Sequence, residues 1–210
     1  MIMSFLADPP VLSGDLVRLE PLSPAHQTDL AVAAEEDRGS YAFTEVPRAG
    51  GVGAFLAAHA ERTAAGRMVP FAQVRRADDR AVGCTSYYNP RYWPGRLDLC
   101  AVEIGWTWLA ASAQGTGINT EAKLLLLDHA FGPLRVARVD FKTDARNTRS
   151  RRALAGLGAR FEGVLRSWSP SRVPGEEGGL RDSAMFSVIA AEWPEIQAGL
   201  QARLRRLAPS

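Results

Sequence analysis

The chain has 210 residues, 46% hydrophobic and 23% charged, the composition of a soluble globular protein that buries roughly 70% of its unfolded surface. The supply of apolar residues excludes disorder as the main state, and the densest apolar run, residues 124–127, is far shorter than the ~20 residues a bilayer span needs. A net charge of +2, from 25 basic and 23 acidic residues, argues against a polynucleotide as partner.

The N-terminus, MIMSFLADPP, lacks a basic n-region and a full apolar stretch, so the sequence predicts no signal peptide. Residues 16–22 alternate apolar and polar and read as a strand. Ser23-Pro24 then opens a helix over about 24–36, and a second, Ala-rich helix covers 51–65 before Gly66. Strands follow at 69–75 and 80–88, joined by the Asp78-Asp79 turn. The turns Asn89-Pro90 and Pro94-Gly95 lead to a strand over 97–109, where Val102-Glu103-Ile104-Gly105-Trp106 alternates. The period then changes to helical over 115–131. A strand at 135–143, a helix at 147–157 closed by Gly158 and strands at 160–168 and 182–190 come next. An amphipathic helix at 193–207 ends the chain.

This order predicts an α/β (α+β) fold in one domain over 1–210, with a mixed sheet. The strand–helix–strand unit 97–144 predicts a right-handed crossover between parallel strands. Two lone cysteines, Cys84 and Cys100, and three scattered histidines match no metal-ligand spacing, so no metal is expected. Unpaired cysteines also fit a reducing, cytoplasmic setting.

The segment richest in chemistry is Gln114-Gly115-Thr116-Gly117-Ile118-Asn119-Thr120. A strand ends, glycines follow and a helix begins, so successive backbone N–H groups and the positive end of the helix dipole form an anion site. From pattern alone a tight strand-to-helix turn is an equal reading. GxxxxGK[ST] is absent, and GxGxxG fails because Thr120 stands where its third glycine belongs.

The loop resembles the (Q/R)-x-x-G-x-(G/A) pyrophosphate loop of the GNAT acetyltransferases. Residues 135–144, the helix opening Asn147-Thr148-Arg149-Ser150, and Leu157-Gly158-Ala159-Arg160-Phe161-Glu162-Gly163 are similar to that family's next strand, helix and closing motif. The segments 16–22, Glu103-Ile104-Gly105-Trp106 and 181–188 resemble its RimJ/RimL branch, which acetylates ribosomal-protein N-termini. The likeness covers nearly the whole chain in order.

The resemblance implies a mostly antiparallel sheet with one splayed parallel pair, here 97–109 and 135–143, and acetyl-CoA in the gap between them. Gln114, Gly115, Thr116, Gly117, Ile118, Asn119, Thr120, Asn147 and Arg152 would contact the cofactor. Asn119 departs from the usual Gly or Ala of the loop. Leu154 stands where many members carry a tyrosine acid seven residues after the helix Asn, which leaves Ser150 as the nearest donor.

The implied reaction moves an acetyl group directly to a primary amine, of a protein N-terminus or a small molecule. Such an amine is mostly protonated at neutral pH and needs a base. Glu103 is that candidate, because alternation points it away from the side of Val102 and Ile104, toward substrate or solvent. A solvated or ion-paired glutamate is the ordinary alternative. Tyr87, Tyr88 and Trp93 are candidates for an acceptor wall, with core packing as the ordinary alternative. The loop 169–180 is a candidate border of the acceptor site. Two rival readings stand beside an enzyme: a non-catalytic CoA-binding module, and a nucleic-acid binder using Arg146, Arg149, Arg151 and Arg152. A homodimer through an edge strand near the C-terminus is compatible with the pattern.

Overall fold

A computed structural model describes residues 8–93, 95 and 98–207. Residues 1–7 of the N-terminal stretch read for a signal peptide, Pro94 of the second turn and Leu97 at the start of a predicted strand lie outside the described residues. The strands are β1 (Leu12–Ser13), β2 (Val17–Pro21), β3 (Met68–Arg75), β4 (Arg80–Tyr92), β5 (Leu99–Leu109), β6 (Arg138–Asp144), β7 (Arg160–Pro170) and β8 (Leu180–Ile189). The helices are α1 (Gln27–Ala33), α2 (Val52–Ala64), α3 (Ile118–Phe131), α4 (Thr148–Leu157) and α5 (Trp193–Leu207). The predicted order is present, with the two-residue β1 added in front.

Three boundaries moved for backbone reasons. The first helix begins as a 3-10 turn, Pro24–His26, and α1 proper is shorter than 24–36. Gly115 and Gly117 take φ of +78° and +92°, left-handed values that a right-handed helix excludes, so α3 starts at Ile118 and not at residue 115. Arg135 takes φ +51°, and β6 starts three residues after it.

The strands form one sheet in the order β1-β2-β3-β4-β5-β6-β8-β7. All neighbours are antiparallel except β5 and β6. That parallel ladder comprises Ala101↔Arg138, Val102↔Val139 and Glu103↔Asp140, and stops there. β5 continues to Leu109 and β6 to Asp144, so the two strands part company. Just beyond the last pair, Trp106 and Thr107 of β5 together oppose Thr85 of β4, a bulge in which Trp106 takes φ +52°. A bulge adds twist and bend to its strand, which turns β5 away from β6.

Helices α1 and α2 cover one face of the sheet, and α3, α4 and α5 the other. The Tyr41 and Trp108 rings meet edge to face on the first side, where the Tyr41 hydroxyl donates to Leu109 O. On the second side the Tyr87 hydroxyl donates to Leu126 O of α3. The core between is apolar, with Val17, Leu19, Phe71, Val102, Val139 and Leu127 fully buried. Among the described residues no helix is long and apolar enough to cross a membrane.

Helix α3 buries two charged side chains. The Glu121 carboxylate accepts from the backbone N–H groups of Asp15 (2.9 Å), Leu16 (2.7 Å) and Val17 (2.8 Å). It fills the space beside Gly14, where an added Cβ would stand 2.7 Å from Oε1. Lys123, 6% exposed, donates to the Thr85 hydroxyl at 3.1 Å and the Thr107 hydroxyl at 2.8 Å. Burial pulls its pKa from 10.5 down to about 7.

Each buried charge yields a stability prediction. Glu121→Ala orphans three backbone donors and lowers the unfolding free energy by about 2–4 kcal/mol, read from urea transitions. The lowered Lys123 pKa means that the unfolded chain binds more protons than the native one between about pH 7 and 10.5. Its contribution to stability therefore rises with pH through that interval and is flat below it. Lys123→Met removes this rise, so the melting temperature of the variant minus that of the parent falls from pH 7 to pH 10.

Candidate active site

Where β5 and β6 separate, a cleft of about 550 Å³ opens through the sheet. One edge of β5 stays paired with β4, through Gly83↔Leu109, Cys84↔Trp108 and Ser86↔Gly105. The other edge has no strand partner beyond Glu103 among the described residues. Buried backbone groups require partners, so this open edge is a place for an extended, amide-bearing ligand.

At one end of the cleft lies the glycine loop. The Gln114 side chain donates to Leu109 O at 2.8 Å and to the Ser40 hydroxyl at 3.0 Å, fixing the loop to the end of β5. The Thr116 hydroxyl donates to Ala113 O at 2.7 Å, within the turn. Gly117 is the N-cap of α3, and a Cβ there would stand 2.9 Å from Leu16 Cδ1. The first intrahelical bond runs from Glu121 N to Gly117 O. The backbone N–H groups of residues 115–120 donate to no acceptor among the described residues. Gly115, Gly117, Asn119 and Thr120 line the cleft, and Ile118 turns inward and is buried. Asn119 Oδ1 is buried without a hydrogen-bond partner.

Helix α4 starts beside the loop. Asn147 caps it, Oδ1 accepting from Ser150 N at 3.0 Å, and both residues line the cleft. Arg149 and Arg203 line it as well, and neither forms an ion pair among the described residues. Arg152 is exposed and stands off the cleft. Of the other arginines of that cluster, Arg146 is bound to Asp144 and Glu176, and Arg151 to Ala145 O.

At the other end Glu103 is only 5% exposed. It accepts from the Tyr88 hydroxyl and from Asn89 Nδ2 at 2.9 Å, and Lys142 Nζ lies 3.6 Å away. Alternation gave its face correctly but not its burial: the carboxylate is reached from the cleft through Tyr88, which lines it. Burial and the adjacent carboxylate push the Tyr88 hydroxyl pKa well above its ordinary value.

The other two candidates for the acceptor wall stand elsewhere. Tyr87 is fully buried against Phe71 and α3, and Trp93 is 62% exposed outside the cleft. The aromatic wall comes instead from the bulge. Trp106 lies between the Arg62 and Arg172 guanidiniums, 4.9 and 5.3 Å from its ring centre, with His59 at 5.6 Å. Arg172 is also paired with Glu45, so the 169–180 loop reaches over the cleft.

Sequence reasoning missed Lys123, Arg203 and Trp106 as lining residues and named Arg149 only as one of the arginine cluster. For Lys123 a signal existed. The four leucines at 124–127 surround α3 with apolar surface and leave little room for a solvated face.

A family model, the acetyltransferase (GNAT) domain, matches residues 17–160. The chain is 37% identical to an acetyltransferase of known structure from T. thermophilus, over 94% of this chain and 98% of that one, with a TM-score of 0.76. It is 26% identical to Mycobacterium smegmatis RimJ, solved with CoA-disulfide, over 93% and 92% of the two chains, with a TM-score of 0.73. A shorter match, 33% identical over 91 residues, is to the uncharacterized N-acetyltransferase p20 of Bacillus licheniformis; it covers 43% of this chain and about half, 48%, of that protein. With the splayed parallel pair and the donor-rich loop, these likenesses establish that the chain belongs to the GNAT family of acetyltransferases and is similar to its RimJ/RimL branch.

Proposed function

We propose that the protein binds acetyl-CoA in this cleft and transfers its acetyl group directly to a primary amine of a peptide N-terminus or small molecule. The observation that carries the reading is the run of unengaged N–H groups at 115–120, set at the end of an open strand edge. These donors and the α3 dipole suit a pyrophosphate. Arg149 and Arg203 add cations for its phosphates. Turning the Asn119 amide over presents Nδ2 in place of the orphaned Oδ1, so the residue becomes a further donor.

When bound, the cofactor supplies an activated thioester. The chain's own groups do the rest. The free edge of β5 holds the extended arm, and Phe141 and Leu154 keep water from the cleft. Glu103 takes the proton of the incoming amine through the Tyr88 hydroxyl, which connects the carboxylate to the cleft. Lys142 and Asn89 fix the carboxylate from behind. Ser150, in the first turn of α4, replaces the tyrosine acid that Leu154 cannot provide.

Calorimetric titration is expected to give micromolar binding of acetyl-CoA and none of ATP. Gly117→Val abolishes that binding while the circular dichroism spectrum stays native, because the left-handed cap and the Leu16 contact admit no side chain; retained binding overturns the loop assignment. Glu103→Gln lowers kcat/KM by about 10²- to 10⁴-fold, the range of general-base catalysis, most strongly below the pKa of the amine. An unchanged pH–rate profile removes Glu103 as the base. Binding of acetyl-CoA without transfer to any amine favours the non-catalytic module.

A further inference from the structure

Four cations surround the Tyr88 end of the cleft and its adjoining hollow, and they are not equivalent. Lys142 is paired with Glu103, Arg146 with Asp144 and Glu176, and Arg172 with Glu45. Arg181, at the start of β8, forms no ion pair among the described residues. Its Nε donates to the Ser169 hydroxyl at 3.1 Å, and its two terminal NH2 groups have no protein acceptor among the described residues. Arg181 is not on the rim, since it lines both the main cleft and an adjoining hollow of about 510 Å³.

Its orientation follows from the sheet register. Ser183 pairs with Asp144, so Arg181, two residues earlier, shares the face of Asp144 and Lys142. Lys142 contacts both Glu103 and the Tyr88 ring on that face. The guanidinium thus stands on the side where the amine must enter. Burial pulls the Arg181 pKa below its ordinary value, and Asp144, Tyr88 and Glu103 act on it only through their fields. The terminal N–H groups of this half-buried guanidinium hold no carboxylate, and the fields of Asp144, Tyr88 and Glu103 offset its desolvation cost only in part, so a bound carboxylate lowers it further.

We propose that Arg181 is an acceptor-binding residue whose guanidinium receives a carboxylate carried by the amine substrate. The substrate class is therefore an amine with a nearby anionic group, which rests on the acetyl-transfer reading above. A guanidinium presents a planar pair of N–H donors that matches a carboxylate oxygen for oxygen. The carboxylate belongs either to the side chain of an N-terminal acidic residue or to the α-carboxyl group of a free amino acid.

The test uses three acceptors with the full-length protein: Asp-Ala-Ala-amide, Asn-Ala-Ala-amide and free asparagine, which carries only the α-carboxylate. Acetylation of each is followed by mass spectrometry and thiol release. Binding of each to the CoA-loaded protein is followed by calorimetry. The expected preference for Asp-Ala-Ala-amide or free asparagine over the Asn peptide is about ten- to hundred-fold in kcat/KM, the size of one charge-assisted pair. Which of the two leads identifies the source of the carboxylate. In Arg181→Met that preference collapses toward one, and the acetyl-CoA Kd stays within about twofold, as for a residue away from the phosphates.

Equal use of all three acceptors by the parent, or loss of acetyl-CoA affinity in Arg181→Met, overturns the inference. The transferase reading fails separately. If no amine is acetylated yet the acidic probes bind in an Arg181-dependent manner, the anion site stands and the catalytic reading falls. If neutral amines are acetylated with no advantage to acidic ones, the reverse holds.

Discussion

The short parallel ladder between β5 and β6 is the constraint on which the rest of the molecule depends. Three residue pairs hold the strands together, and then the bulge at Trp106 turns β5 away. A backbone edge inside a protein cannot be left without partners. Yet six residues of β5, from Ile104 to Leu109, keep one edge free of any strand. Each end of this gap is finished by a different element. The glycine loop and α3 close it with N–H donors, and Tyr88 of β4, Glu103 of β5 and Lys142 of β6 close it at the other end. The fold therefore makes the cleft by withholding hydrogen bonds from one strand, and the side chains only specialise its two ends.

The electrostatics follow that division. At the loop end the positive potential comes from backbone dipoles and from Arg149 and Arg203, none of which is neutralised within the described residues. At the Tyr88 end cations are more numerous, but most are matched by carboxylates. Trp106 links the two walls of that end by lying between arginines of α2 and of the β7–β8 loop. These contacts help hold a non-glycine residue at a left-handed φ, a conformation disfavoured by roughly 1–2 kcal/mol.

Much of this was legible in the sequence. Strand alternation and helix punctuation gave the element order, and the glycines at 115 and 117 marked the loop because only glycine accepts their φ values without cost. The register between strands was not legible, and the site depends on it. Whether Glu103 meets solvent, and whether Tyr87 or Tyr88 faces the cleft, is decided by pairing partners far along the chain. Adjacent tyrosines on a strand must point to opposite faces. Sequence alone named both as wall residues, and packing against α3 took Tyr87 into the core. Glu121 looks like a solvent-facing helix residue until the backbone at 15–17 is brought against it, and the partners of Lys123, Thr85 and Thr107, lie on strands far along the chain. Arg152 and Arg149 differ by less than one helical turn, and only tertiary packing decides which of them reaches the cleft.

The tie between Glu121 and the backbone at 15–17 also sets an order of events during synthesis. These donors leave the ribosome early, and their acceptor follows 104 residues later. Contacts of such sequence separation form slowly, since a long loop must close before any energy is returned. Residues 14–17 must therefore wait for α3, and α3 gains its remaining cover, Leu204 and Leu207 beside Gly117, only once α5 has been made. The glycine loop is thus among the last parts of the molecule to become rigid. A nascent chain released before α5 is made has most of its sheet but no settled glycine loop.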